Sequence, residues 1–277
     1  MGAFRSLAAL RDSLRHTRLP TQAGATGATG PAASAHAARL RDLPRWLWLW
    51  FPLASIAVVF GVRLLLGEYT YTQRMGTEQG VVENATVVVL ILAIVAGVLA
   101  FRRRRSLPSP WLGRWLLLLT AGCVYFAVEE LSWGQSLFGW QTPELFNAIN
   151  DQQETNIHNI SSWFDQKPRI ILELGTLICA VIYPLWALRT GFAPDPGRGD
   201  WRYWFWPTLV CFPAAVLAVT IKLPKRFHRL FDWPRPPPLD IRLSEVQDYF
   251  FAVVLLLYLW SFYVRLRQFD KRGGNES

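Results

Sequence analysis

Six long apolar stretches recur along the chain, and they constrain its fold more than any other feature. They run from Leu47 to Leu66, Ala85 to Phe101, Trp115 to Glu130, Ile170 to Leu188, Tyr203 to Ile221 and Val246 to Val264. A helix of about 20 apolar residues crosses the ~30 Å hydrocarbon core of a bilayer. The sequence therefore predicts an all-α integral membrane protein with about six transmembrane helices. The second and third stretches are short, so their limits could shift by several residues.

Residues 1–45 are rich in arginine, alanine and glycine but poor in large apolar side chains, so they cannot bury a core. We expect a disordered basic cytoplasmic tail there, although an organelle transit peptide has a similar composition. No cleavable signal peptide is expected, because the first apolar stretch starts only at Leu47. A transmembrane domain over 46–266 and a cytoplasmic tail over 267–277 complete the predicted organisation.

Basic residues flank the apolar stretches unevenly. The N-terminal tail, the loop that opens with Arg102 to Arg105, and the C-terminal tail are rich in arginine, whereas the loops 68–84 and 131–167 are acidic. Lysine and arginine are retained on the cytoplasmic side. We therefore expect a multi-pass protein of the cell (inner) membrane with both termini in the cytoplasm and the acidic loops outside. The loop from Lys222 to Arg242 departs from the rule, with six basic residues against two acids on the assigned outer side.

The segment from Glu129 to His158 concentrates carboxylates, carboxamides and an imidazole between two apolar stretches. Its Thr142-Pro143-Glu144 is typical of a helix start. The residues that follow predict an outer interfacial amphipathic helix from Pro143 to about Asn159. The polar stripe of this helix ends with Glu154 and His158 one turn apart, a spacing at which both could reach one ion.

Ionisable groups at membrane depth usually mark a site, so this segment supplies the candidate functional residues. The acid/base and nucleophile candidates are Glu129, Glu130, Ser132, Glu154 and His158. A divalent metal ion, if one is used, would be held by Glu130, Glu154 and His158. Carboxamides that could bind a substrate head group are Gln135, Asn150, Asn156 and Asn159.

Structural alternatives remain open for several of these groups. Glu154 and His158 could form a surface helix pair. Glu173, one turn after Arg169 in the fourth stretch, could be neutralised by that arginine. Asp248 lies at the same predicted end of the molecule, one turn inside the sixth stretch.

Prolines Pro234 and Pro236 to Pro238 lie in the basic loop, and we expect them to stiffen it into an extended segment. That segment would hold Lys225, Arg226 and Arg229 as a basic rim for a substrate with an anionic head. The alternative is a juxtamembrane patch that rests on anionic lipid.

The sequence contains no motif that indicates a cysteine-based site or a nucleotide-binding site. Cys123, Cys179 and Cys211 lie in different apolar stretches without ligand-like spacing, so we expect buried apolar roles. No glycine-rich nucleotide loop is present. The net charge of +9 is explained by topology and by anionic lipid. We therefore expect membrane lipid, and no nucleic acid, as the partner.

Two strings carry a resemblance. Glu129 to Gln135 reads E-E-x-S-W-G-Q, and Gln153 to Asn159 reads as a Q-x-T-N-x-H-N-like run. Together they resemble a group of uncharacterised bacterial multi-pass membrane proteins, which implies an integral membrane protein without implying an activity. A looser similarity to alkaline-ceramidase-like hydrolases implies a three-histidine zinc centre. Because only His158 and His228 lie near the proposed site, one chain cannot build that centre.

These observations favour a membrane-embedded hydrolase or transferase, with or without a metal ion, acting on a lipid or lipid-linked substrate at the outer leaflet. A transporter or ion-coupled membrane protein could use the same carboxylates as a relay. A non-catalytic membrane scaffold is the third alternative. The one-sided placement of the acids and the absence of a visible inverted repeat disfavour transport.

Overall fold

The computed structural model describes residues 42–75, 80–134, 138, 141–142, 162–192, 194 and 199–273. Within these residues there is no strand, and six helical spans are long and apolar enough to cross a membrane. The spans are Trp46–Arg74, Val81–Arg102, Pro110–Glu130, Lys167–Thr190, Trp201–Phe231 and Leu243–Lys271. The predicted all-α multi-pass class is confirmed. Each predicted stretch lies inside a longer span, because the helices continue past the first polar residues at their ends.

In the described part of the chain, nine α-helices build these spans. They are α1 Phe51–Arg74, α2 Val81–Arg102, α3 Pro110–Glu130, α4 Ser162–Gly175, α5 Tyr183–Thr190, α6 Trp201–Phe205, α7 Phe212–Thr220, α8 Leu223–Phe231 and α9 Leu243–Gly273. A π-helical stretch, Thr176–Ile182, joins α4 to α5, so the fourth span is continuous. The fifth span is interrupted after α6, where Trp206 takes an extended conformation.

The spans run in alternating directions, which gives the bundle two chemically different ends. The tail end holds residues 42–45, 103–109 and 199–200 and the last turns of α9. There Arg103 Nη1 donates to Asp270 Oδ2 at 2.8 Å. The distal end holds residues 131–134 and 232–242. An ion pair links Arg63 of α1 to Asp240 near this end.

The C-terminal helix α9 is the centre of the bundle. It packs against α2, α7 and, less extensively, α3. Of the 18 most apolar consecutive residues in the sixth span, which α9 forms, 78% are buried, whereas in the first span the corresponding fraction is 11%. Phe250, Phe251 and Phe262 of α9 are fully buried. The outer spans expose large apolar side chains, as expected of helices that face lipid.

Small residues bring α2 and α3 into close contact. Ala93, Ala96, Gly97 and Ala100 are buried on α2. A Cβ atom added at Gly97 would lie 2.2 Å from Thr120 Oγ1 on α3. Such spacing is typical of membrane helices, whose backbones approach where side chains are small.

A buried polar network closes the tail end. Asp42 accepts hydrogen bonds from Thr208 Oγ1 at 3.0 Å and from Ser261, and it lies 3.3 Å from Arg265 Nε. Arg265 also donates to the main-chain carbonyl of Tyr203, at the interruption of the fifth span. The network therefore begins at Asp42. The last helix continues to Gly273.

Candidate functional site

A cavity of about 510 Å³ lies between α3, α4 and α9 toward the distal end. Its walls are apolar, and its distal side carries the polar groups. The apolar lining residues are Leu118, Leu119, Gly122, Phe126, Pro168, Ile171, Leu172, Phe251 and Leu255. The polar lining residues are Tyr125, Glu129, Glu130, Arg169 and Asp248. A volume of this size is typical of a small-molecule pocket.

Helix α3 supplies one wall because its lining residues recur every three or four positions. Leu118, Gly122, Tyr125 and Glu129 fall on one helical face at this spacing. The face is apolar for most of its length and acidic in its last turn. An apolar groove thus leads directly to a carboxylate.

Glu129 is buried, with 5% of its surface exposed. Its Oε1 accepts a hydrogen bond from Trp133 Nε1 at 2.8 Å, and Tyr125, one turn earlier, lies within electrostatic range of it. Behind α3 the backbone turns left-handed, with φ of 45° at Ser132, 57° at Trp133 and 96° at Gly134. This region is costly for residues other than glycine. The strained turn folds Trp133 back onto the carboxylate.

Three helices bring further charges to Glu130. Arg169 of α4 forms an ion pair with Asp248 of α9. Glu130 lies within electrostatic range of this pair and of Glu83 and Glu245. The polar side of the cavity therefore places several carboxylates around one guanidinium, a composition suited to acid/base chemistry and to binding a charged head group.

Glu173 pairs with Arg226, so the structure does not form the alternative pairing with Arg169 that the sequence left open. Both oxygens of Glu173 accept hydrogen bonds from Arg226 Nη2 of α8 at 2.7 Å, while Arg169 pairs with Asp248. The two residues share a helical face, but each finds an opposite charge on another helix. Arg169 is consequently held at the cavity by α9.

The expectation of an extended basic rim is wrong for residues 223–231, which form the helix α8. Lys225, Arg226 and Arg229 lie on this helix. Lys225 Nζ donates to Ser244 Oγ at 3.4 Å, and Arg226 is committed to Glu173. The proline-rich segment follows the helix and does not contain these basic residues.

Several predicted site residues lie outside the described part of the chain. These are Gln135, Asn150, Glu154, Asn156, His158 and Asn159, together with the predicted helix from Pro143. Glu129 and Glu130 do meet at the cavity. Ser132 is buried in the turn beyond α3 and is not one of the described lining residues. Among the described residues no group of three His, Cys, Asp or Glu side chains could hold a metal ion.

The sequence indicates the positions of Arg169 and Asp248 but not their ion pair. Nor does it single out Glu83, near Glu130, or Lys222, which lies within electrostatic range of both Arg169 and Asp248. A signal was present, because all four residues lie at span ends on the same side of the predicted topology.

No family model, curated protein or solved structure matches the chain. Function is therefore inferred from the cavity and its charged side.

Proposed function

We propose that this protein is a membrane-embedded enzyme, a hydrolase or transferase, that acts on a lipid or lipid-linked substrate. The observation that carries the proposal is the cavity of about 510 Å³ whose apolar walls end on three carboxylates and a guanidinium. A water-soluble substrate would not need the apolar walls of the cavity. An amphipathic substrate needs both the apolar walls, for its hydrocarbon chain, and the charged side, for its head group.

The apolar chain of the substrate would occupy the groove between α3 and α4. Leu118 and Ile171 line it and are 62% and 71% exposed. Because exposed apolar residues of a membrane helix face lipid, a chain could reach the groove laterally from the bilayer.

The head of the substrate would meet the charged side. Glu130 is the proposed general acid or base, and Arg169, oriented by Asp248, would bind an anionic group. Glu129 would be a positioning residue, since Trp133 already holds it. A metal-assisted variant of the reaction would need Glu154 and His158 in addition to Glu130.

Orientation follows from the distribution of basic residues. By the positive-inside rule both termini are cytoplasmic and the protein lies in the cell membrane. The charged side of the cavity then lies toward the outer leaflet.

Transport of an ion or small solute is the second candidate, favoured by the interrupted fifth span, since discontinuous helices form binding sites in transporters. However, the interruption at Trp206 lies toward the tail end, whereas the carboxylates lie toward the distal end. Enzymatic action on a lipid accounts for the groove as well as for the charges.

The test compares lipids extracted from cells that express the wild type, Glu130→Gln or the matched control Asp232→Asn. Asp232 is an exposed acid at the same end, in a left-handed conformation that asparagine tolerates. Loss of a general acid or base slows turnover by roughly 10²–10⁴-fold. We expect Glu130→Gln to abolish the lipid species that the wild type produces and Asp232→Asn to retain it.

Equal lipid profiles for the wild type and Glu130→Gln, at equal membrane expression, would overturn the proposal. Adding His158→Ala tests whether the segment after Ser132 completes the site. If it does, the double variant with Glu130→Gln is little worse than either single variant, because residues that act as a unit are non-additive.

A further inference from the structure

Helix α8 has two chemically opposite faces. At about 100° per residue, Leu223, Phe227, Leu230 and Phe231 fall within one arc of about 100°. The remaining arc carries the basic side chains of Lys225, Arg226, His228 and Arg229, and Lys222 at the N-cap extends it. None of the nine residues of α8 is buried against the described part of the protein.

The apolar face is extended by the residues that follow the helix. Asp232 takes a left-handed conformation, and the carbonyl of Trp233 lies 2.9 Å from His228 Nδ1. The ring of Trp233 is thereby brought within 6.1 Å of the ring of Phe227. We refer to Phe227, Leu230, Phe231 and Trp233 as the α8 patch. Their exposed fractions are 42%, 71%, 69% and 62%.

The charge of α8 excludes it from the hydrocarbon core. The chain from Trp201 to Ile221 already provides the roughly 20 residues that a crossing needs. Lysine and arginine are among the costliest residues to place in the bilayer centre. A short helix with one apolar and one basic face is stable where both faces are satisfied, at the boundary between head groups and acyl chains.

Two contacts fix α8 to the protein through its basic side. Arg226 is bound by Glu173 of α4, and Lys225 reaches Ser244 near the start of α9. Arg229 remains exposed, and within the described part of the chain it has no ion pair. The apolar face is thus directed away from these contacts, while a cation remains available at the edge of the helix.

We propose that α8 is an interfacial helix that binds anionic phospholipid at the distal end of the bundle. The α8 patch inserts among the acyl chains just below the head groups, and Arg229 binds lipid phosphate. The charge complementarity of Arg229 with anionic head groups identifies the occupant as lipid. This inference does not depend on the proposed enzymatic activity.

The depth of the helix tests the insertion. A nitroxide is attached at Leu230→Cys or, as the matched control, at Asp232→Cys, with the three native cysteines replaced by alanine. The full chain is reconstituted in vesicles of phosphatidylcholine and phosphatidylglycerol in equal parts. Power saturation with oxygen and a nickel chelate should place the Leu230 label about 5–10 Å below the phosphates and the Asp232 label in water.

Equal nickel accessibility at the two positions would overturn the proposal, because α8 would then lie in solvent. Shielding of the Leu230 label from both reagents would overturn it too, since protein, for example a second copy, would then cover the α8 patch.

The role of Arg229 is tested by lipid composition. In vesicles of phosphatidylcholine alone the Leu230 label should lie nearer the surface than in the anionic mixture. Arg229→Gln should abolish this difference, whereas Arg189→Gln, an exposed arginine at the tail end, should preserve it. Inorganic phosphate added to the phosphatidylcholine vesicles should not restore the depth. A depth that is unchanged by phosphatidylglycerol, or restored by free phosphate, would contradict lipid binding.

Discussion

Replacement of Gly97 by alanine should loosen the contact between α2 and α3. The new Cβ would lie 2.2 Å from Thr120 Oγ1 and 3.1 and 3.2 Å from Thr120 Cβ and Cγ2. Rotation of Thr120 would break the hydrogen bond of its hydroxyl to the Leu116 carbonyl, at 2.7 Å, and would leave the Cβ contact tighter than usual. We therefore expect the two helices to separate by a few tenths of an ångström.

The expected magnitude combines two opposing effects. Overpacking a well-packed core costs about 1–3 kcal/mol. A clash that moves two helices should have a cost near the upper limit of this range. Alanine is favoured over glycine in a helix by about 1 kcal/mol. We expect Gly97→Ala to lower the free energy of unfolding by about 2 kcal/mol.

The assay is reversible unfolding of the purified protein in mixed micelles, followed by circular dichroism. Gly61→Ala is the matched control, since a Cβ there would meet nothing within 4 Å. In a Thr120→Ala background the hydroxyl and methyl groups are absent, so Gly97→Ala should cost much less, with a coupling of roughly 0.5–3 kcal/mol. Equal stability of the Gly97 and Gly61 variants, or an equal cost of Gly97→Ala in both backgrounds, would refute the reasoning.

Two further predictions concern the tail end and the topology. Arg265→Met leaves the carboxylate of Asp42 buried without its guanidinium and should cost about 3–5 kcal/mol in the same unfolding assay; a change below the error of that assay would show that the network is dispensable. A reporter fused after Lys271 should be cytoplasmic and one inserted near Asn147 should be outside, and finding both on one side would contradict six crossings.

The six spans could be predicted because the length and composition of an apolar stretch are local properties of the sequence. Their ends could not, since helices such as α9 continue through charged residues beyond the apolar stretch. The helix α8 was predictable in principle. Pro224 lies at its start, and Leu223, Phe227 and Leu230 have helical spacing, but the prolines that follow Trp233 favour an extended segment.

The candidate site was only partly predictable. Glu129 and Glu130 could be identified because adjacent acids at the end of an apolar span are unusual. The pairing of Arg169 with Asp248 spans 79 positions of sequence, and it depends on how α4 packs near α9. The same holds for Gly97 and Thr120. Helix packing decides which charged residues pair and which small residues come into contact. The periodicity of apolar residues in the sequence does not encode that packing.

Within the described part of the chain, the central helix α9 follows the other helices in the sequence. Until α9 leaves the ribosome, α2 and α7 have no common partner, and Asp42 has neither Ser261 nor Arg265 to bond. The contact between α2 and α3 does not involve α9, whereas the charged side of the cavity lacks Asp248 until α9 is in place. We expect a chain that stops before α9 to insert in the membrane but to lack both Asp248 at the cavity and the α9 partners of Asp42.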